Sequence, residues 1–371
     1  MAVQLNTEVV NVDYNKKIVE LGDKKTMPFD ILVLATGVRA VMPDIPGTDR
    51  AGIFALKNLT DAIKIKTYLR EKNCRRAVIV GAGFIGMEMS EALQLSGVAT
   101  TIIDRGYLPA HRWSGELGEL LKKELNEKGV EHVSLAAIKA IETGEEFPLR
   151  VITDKGDWPA DLVLMATGVR PEVAVAAELG IKIGRTGAIA VNEYQETSLA
   201  GVYAAGDCCE SRHRVSGQYV NIPLGDIANK QGRVAGRNIG GKPMKFPGVV
   251  GAQSFRLFNL EAAATGIGEK EALAAGFEPV SNVTTGNAVA GSLGKKLLVL
   301  KLIADKKSGK LLGAQAVGEK GAVSRINALS VALWAGLDID EISYLDLAYS
   351  PPFGGAWDII HNAAQALRRK I

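Results

Sequence analysis

The sequence predicts an α/β protein with two parallel-sheet domains, one split around the other, and a C-terminal α+β module. Three observations predict it. Short apolar runs without polar alternation recur, each leading into a glycine: Ile31 to Leu34 before Ala35-Thr36-Gly37, Ala77 to Val80 before Gly81, Leu162 to Met165 before Ala166-Thr167-Gly168, and Val202 to Ala205 before Gly206-Asp207. Helical apolar spacing follows the second run, over Gly86 to Leu95, and an amphipathic stretch covers Glu116 to Lys128. Beyond Pro243 and Pro247 the character changes to paired strand-like runs followed by helices.

Each element follows from its pattern. Runs that are apolar at consecutive positions fit strands buried on both faces, as in parallel sheets. Glycine at the carboxyl end of such a strand lets a ligand approach the backbone. Residues 59–188 read as a self-contained nucleotide-binding domain. The flanking pieces, 1–58 and 189–245, end in similar signals and read as two parts of another domain. In residues 246–371, Leu297 to Ala304 and Lys310 to Val317 read as a hairpin around Asp305 to Gly309, with helices near 321–335 and 356–369. Such a module supplies an oligomer interface.

Composition sets the class. A chain of 371 residues fits two to three domains, and 47% hydrophobic with 23% charged residues is the balance of an ordinary globular protein. A net charge of +3 over this length argues for neither nucleic acid nor a membrane surface as partner. The longest apolar runs are strand-length, and the opening Met1-Ala2-Val3-Gln4 shows no export signal, so a cytoplasmic location is the expectation. Three cysteines make no disulfide framework, and His111, His132, His213 and His361 show no metal-ligand spacing.

Gly81-Ala82-Gly83-Phe84-Ile85-Gly86 is a G-x-G-x-x-G between an apolar strand and a helix. In that context it reads as a dinucleotide-binding turn rather than a purely structural one. The glycines allow a tight turn and close approach to a pyrophosphate, which the helix N-terminus attracts. A further apolar run ends at Asp104, 18 residues after Gly86, where a carboxylate accepts hydrogen bonds from the adenosine ribose. Its neighbour Arg105 offsets the repulsion that Asp104 exerts on a 2′-phosphate; NADH is expected over NADPH. The fold class is thus two Rossmann-like domains plus an α+β module. Gly206-Asp207, taken as a bare dipeptide, reads equally as a helix N-cap.

The longer pattern around that dipeptide carries a resemblance. Thr197 to Asp207 resembles the second flavin-binding motif of the pyridine nucleotide–disulfide oxidoreductase family, in which the aspartate holds the ribityl chain. Ala35-Thr36-Gly37, with Pro43 and Ile45-Pro46-Gly47, is similar to the segment that leaves the FAD domain, and Ala166 to Pro171, including Gly168, to the return. Ile222-Pro223-Leu224 and Ala228 to Gly232 are similar to the helix under the flavin. Tyr349 to Phe353, with Trp357-Asp358, is similar to the C-terminal motif of the branch holding coenzyme A–disulfide reductases, NADH oxidases and peroxidases, and persulfide or polysulfide reductases. The resemblance extends over essentially the whole chain.

It implies an FAD domain split around an NAD(P) domain, a homodimer formed through residues 246–371, and hydride transfer from NADH or NADPH through FAD. The acceptor it implies is a small-molecule disulfide, persulfide or polysulfide, with oxygen or peroxide as the alternative. A non-catalytic NAD(H)-binding subunit is a further reading. Glu88 matches a family glutamate near the flavin, against the plain reading of a solvated helix glutamate. Tyr349 matches a tyrosine that reaches the partner's active site, against simple interface packing. The family opens with a strand and G-x-G-x-x-G for the ADP half of FAD, followed by the redox cysteine. The expectation is that this chain lacks both, through a start-codon error, a deliberate truncation or a split protein. Cys208 and Cys209 read as buried packing residues or as thiols activated beside the flavin, and Cys74 as having no redox role. The glutathione-reductase His–Glu pair has no counterpart at His361.

Overall fold

The computed structural model describes residues 2–110 and 113–371. The chain forms two compact units, residues 1–39 with 169–249 and residues 40–168 with 250–371.

In the first unit, the strand Leu32–Leu34 lies parallel to Val202–Ala204, in the register Leu32 to Val202 and Leu34 to Ala204. Three further strands, Val9–Asp13, Ile18–Leu21 and Thr26–Pro28, make an antiparallel sheet. The core gathers Leu34, Ile181, Ile189, Val202, Ala204, Cys208 and Cys209. A smaller cluster of Ile227, Val234, Phe246 and Val249 holds the helix Gly225–Ile239.

The second unit is organised on a five-stranded parallel sheet in the order Ile53–Ala55, Leu162–Met165, Arg76–Val80, Ala99–Ile103, Glu131–Val133. Successive residues of Arg76–Val80 alternate between two cores. Ala77 and Ile79 pack with the helices Phe84–Leu95 and Gly115–Glu127, while Val78 and Val80 pack with Ile141, Leu149 and Val151 of an antiparallel sheet over 138–160. Burial on both faces is why the run shows no polar alternation. The C-terminal module is a five-stranded antiparallel sheet in the order Gln253–Leu257, Leu260–Gly266, Leu311–Gly318, Leu297–Asp305, Pro279–Asn287. Helices Ala322–Ala335 and Ile359–Arg368 pack on it.

The compact units divide at 39/40, 168/169 and 249/250, beside the domain bounds near 59, 188 and 246 that the sequence pattern suggests. Ile53–Ala55 is hydrogen-bonded to Leu162–Met165, so the sheet begins before residue 59. Past Gly168 the chain packs into the first unit, where Ala176 and Ile181 join its core. The C-terminal sheet shares a core with the nucleotide sheet, because Phe255, Leu257, Phe258 and Leu260 pack in the cluster of Leu117, Leu121 and Leu125. Glu91 and Glu124 accept hydrogen bonds from the backbone amides of Phe258 (2.6 Å) and Asn259 (3.0 Å) across that seam.

Leu121 sits fully buried in this shared core. Leu121→Ala is expected to lower stability by about 2–5 kcal/mol, because the surrounding side chains close the cavity only in part. Leu95→Ala, on an exposed position of the helix Phe84–Leu95, is expected to change it by less than about 0.5 kcal/mol. Urea unfolding midpoints of the two variants check the difference.

Candidate functional site

The first cradle lies in the second unit, at the carboxyl ends of three adjacent strands. Arg76–Val80 runs into Gly81, and the helix Phe84–Leu95 starts with Gly83 at its N-cap and no side chain capping it. Its first amides are therefore available to an anion. Gly86 is dictated by contact: a Cβ there would lie 2.0 Å from the Gly81 carbonyl oxygen. A Cβ on Gly83, by contrast, would meet nothing within 4 Å, so open space faces the turn where a pyrophosphate belongs. Ala82 is buried and its carbonyl accepts from the Ala110 amide at 3.0 Å, fixing the turn from behind. Phe84 stacks on Phe255 at 4.8 Å, and Ile85 faces outward.

Asp104 follows Ala99–Ile103, the next strand. Its backbone is held by Val133 and Ala136, each at 2.9 Å. Its Oδ2 is buried with no hydrogen-bond partner among the described residues. An orphaned carboxylate oxygen at this strand end fits an acceptor for ribose hydroxyls. Arg105 beside it is exposed. On the other side, Gly168 ends the segment after Leu162–Met165, and its carbonyl accepts from the Val41 amide at 2.9 Å. The structure thus brings Gly81 to Gly86, Asp104 and Gly168 to one edge of one sheet.

Two ionisable groups stand out in this unit. Glu88, exposed one turn into the helix, has its carboxyl pKa raised by partial burial and by the Glu91 charge. His132 has both ring nitrogens buried without hydrogen-bond partners among the described residues, and burial lowers its pKa, with Asp104 opposing and Lys122 reinforcing that shift. Sequence reasoning missed His132. Its signal is faint, one polar residue inside a three-residue strand.

The second cradle lies in the first unit, again at strand carboxyl ends. Ala35-Thr36-Gly37 leaves Leu32–Leu34, and the Thr36 hydroxyl donates to the Glu172 carbonyl at 2.6 Å. Gly206-Asp207 leaves Val202–Ala204. Gly206 has φ +91° and packs so that a Cβ would stand 3.4 Å from the Ala228 Cβ, so only glycine sits there without strain. Pro223 and Leu224 lead into the helix Gly225–Ile239, whose N-cap Leu224 offers no side-chain cap. The Asn221 amide donates to the carbonyls of Asp207 and Cys209 at 2.9 and 3.0 Å. A turn of this shape, with a carboxylate and an uncapped helix start beside it, fits the polar chain and ring of a flavin.

Cys208 and Cys209 are 0% and 2% exposed. The Cys208 sulfur stands 3.5 Å from the carbonyls of Leu34 and Ala205. The Cys209 thiol beside it draws its pKa down to about 6 against its burial, with the Gly37 amide and Thr36 adding to the pull. Cys208 and burial push Cys209 up in turn. With two carbonyls on its sulfur and no exposed surface, Cys208 has the surroundings of a packed thiol. Burial pushes Cys74 up to about 11. His111 lies outside the described residues; among the described residues no group of three or more His, Cys, Asp or Glu is placed to hold a metal. No described helix is long and apolar enough to cross a membrane.

Tyr349 stands in the C-terminal module, 57% exposed, on a segment that includes Phe353 at 63%. Arg325 anchors that segment, donating to Asp358 and to the Phe353 carbonyl, both at 2.6 Å. His361 is occupied locally: Nδ1 accepts from the Asp358 amide at 3.1 Å, leaving Nε2 to donate to the Leu345 carbonyl at 2.8 Å.

Comparison with known proteins identifies the family. Residues 1–232 match the pyridine nucleotide-disulphide oxidoreductase family, and residues 252–359 match its dimerisation domain. The chain is 37% identical over 375 residues to the NAD(P)H coenzyme A polysulfide/persulfide reductase of Pyrococcus horikoshii, covering 99% of this chain and 82% of that protein. It is 32% identical over 375 residues to an NADH oxidase of Methanocaldococcus jannaschii, covering 98% and 82%. The solved structure of an NAD-dependent persulfide reductase from A. fulgidus superimposes with a TM-score of 0.94 at 36% identity, over 98% of this chain and 69% of that one. The chain belongs to the pyridine nucleotide–disulphide oxidoreductase family and is an FAD-dependent NAD(P)H oxidoreductase.

Proposed function

We propose that this chain reduces sulfur in a small molecule, a persulfide, polysulfide or disulfide, with electrons from NADH. The observation that carries the reading is the pair of cradles, each at strand carboxyl ends, in a chain 36–37% identical to proteins named as persulfide and polysulfide reductases. When bound, the two cofactors supply hydride transfer from nicotinamide to flavin and onward reduction of the acceptor.

The chain's own residues bind and orient. Gly81 to Gly86 and the first amides of Phe84–Leu95 hold the nicotinamide pyrophosphate, and Asp104 accepts from the ribose. Gly168 leaves room beside that turn. Asp207, the start of Gly225–Ile239 and the Ala35 to Gly37 turn hold the flavin, with Pro223, Leu224 and Ala228 shaping its floor. Glu88, whose carboxyl pKa is raised by partial burial and by the Glu91 charge, stands one turn into the helix Phe84–Leu95 on the nicotinamide side. Tyr349 reaches a second copy's site in a homodimer. Oxygen as acceptor is the second reading, favoured by the burial of Cys208 and Cys209, which leaves no exposed thiol in the first unit among the described residues.

Acceptor identity separates the readings: flavin-replete protein with NADH is expected to release sulfide from polysulfide faster than it consumes oxygen. Oxygen consumption without sulfide release overturns the sulfur reading.

NADH is expected to exceed NADPH in kcat/KM, because Asp104 accepts from a ribose hydroxyl and repels a 2′-phosphate. Asp104→Asn is expected to cut the NADH value by about tenfold, ~1.4 kcal/mol, and to narrow the preference. A wild-type preference for NADPH contradicts the assignment.

The homodimer is expected to form through the C-terminal module. Deleting residues 250–371 would strip a shared core, so the cleaner change is Tyr349→Asp with Phe353→Asp on exposed positions. Sedimentation is expected to show a dimer for wild type and a monomer for the double variant; a dimer in both contradicts the interface.

A further inference from the structure

Gln231, on the helix Gly225–Ile239, is 0% exposed, and its amide bonds to another segment. Oε1 accepts from the Gly206 amide at 2.8 Å and lies 3.4 Å from the Cys209 sulfur, whose one hydrogen also has the Gly206 carbonyl within reach at 3.3 Å. Nε2 donates to the Ser211 hydroxyl at 3.0 Å and to the Glu210 carbonyl at 3.4 Å. An amide nitrogen has two donors, and both are met, while its oxygen takes the Gly206 amide. The orientation is also unambiguous. Gly206 N–H only donates and the Glu210 carbonyl only accepts, so a flipped amide would oppose both.

All four partners lie within residues 206–211, the stretch that carries Asp207. Asn221 holds the carbonyls of Asp207 and Cys209 from another element. Gly206, at φ +91°, holds a conformation that glycine adopts without strain, and its amide is aimed at the Gln231 oxygen. Buried amides left without an acceptor are strongly disfavoured, so Gln231 fixes the Gly206 end of the turn while Asn221 fixes the carbonyls beyond it.

We propose that Gln231 is the positioning residue that presents Asp207 to the flavin. It acts through the Gly206 amide and not by touching the cofactor. The inference rests on the reading that the first unit holds FAD, and the experiment separates the two.

FAD affinity, NADH affinity and the alkylation rate of Cys209 by iodoacetamide are measured on the full chain for wild type, Gln231→Leu, Gln231→Glu and Arg237→Ala. Arg237 is an exposed residue in the last turn of the same helix. Gln231→Leu is expected to weaken FAD by tenfold or more and to speed Cys209 alkylation by tenfold or more. NADH affinity, set in the second unit, should stay at wild type. Gln231→Glu keeps an acceptor for the Gly206 amide, so its FAD affinity should fall between the two. Arg237→Ala should match wild type throughout. Wild-type FAD affinity in Gln231→Leu overturns the inference while leaving the flavin reading intact. Should Gln231→Leu lose NADH as well, through misfolding, Gln231→Glu decides: FAD affinity equal to wild type with unchanged alkylation overturns the inference, and a selective loss of FAD supports it. A wild-type chain without FAD affinity overturns the flavin reading and the role of Gln231 with it.

Discussion

A Cβ on Gly86 would stand 2.0 Å from the carbonyl oxygen of Gly81, and the nucleotide cradle exists only because hydrogen occupies that place. This approach lets the helix Phe84–Leu95 start directly over the end of Arg76–Val80, with its first amides facing open space at Gly83. Everything else at that edge is arranged around the contact. Asp104 ends the neighbouring strand with one carboxylate oxygen unused, and Gly168 follows the strand on the other side. A helix set further from the sheet would turn its N-terminal amides away from a ligand held by Asp104.

The same helix couples the cradle to the C-terminal module within the second unit. Phe84, the first helical residue, stacks on Phe255 of the C-terminal sheet, and Trp113 packs against both rings. Glu91 of the helix takes the Phe258 amide. The C-terminal module is therefore packed directly against the helix that follows the Gly81 to Gly86 turn, through aromatic rings rather than through a flexible linker. The first unit uses a different device. There one buried amide, Gln231, and Asn221 hold the turn that carries Asp207.

Legibility in the sequence followed the physics of each element. The parallel strands were readable because burial on both faces removes polar alternation, and the Gly81 to Gly86 turn because close approach demands glycine. Asp104 was readable as a carboxylate at a strand end. The antiparallel sheet over 138–160 was not, since strands such as Ile138–Thr143 mix buried and exposed positions irregularly around a register shift. The unit boundaries near Ala40 and Gly168 were hidden because contacts, and no change in composition, define them. Gln231 stood in a recognisable helix pattern, yet nothing local shows that its four partners come from a segment some twenty residues earlier. His132 was invisible for a similar reason: its surroundings come from Asp104 and Lys122 on other elements.

The central claim is that a nucleotide held by Gly81 to Gly86 and Asp104 delivers hydride to a flavin held by Asp207 and its turn. Rapid anaerobic mixing of flavin-loaded protein with NADH, followed through the flavin absorbance, tests it most directly. The account predicts loss of the oxidised-flavin band as NADH is consumed, with the rate saturating in NADH and falling in Gly86→Ala. An oxidised-flavin band that persists while NADH is bound at the Gly81 to Gly86 turn would contradict it.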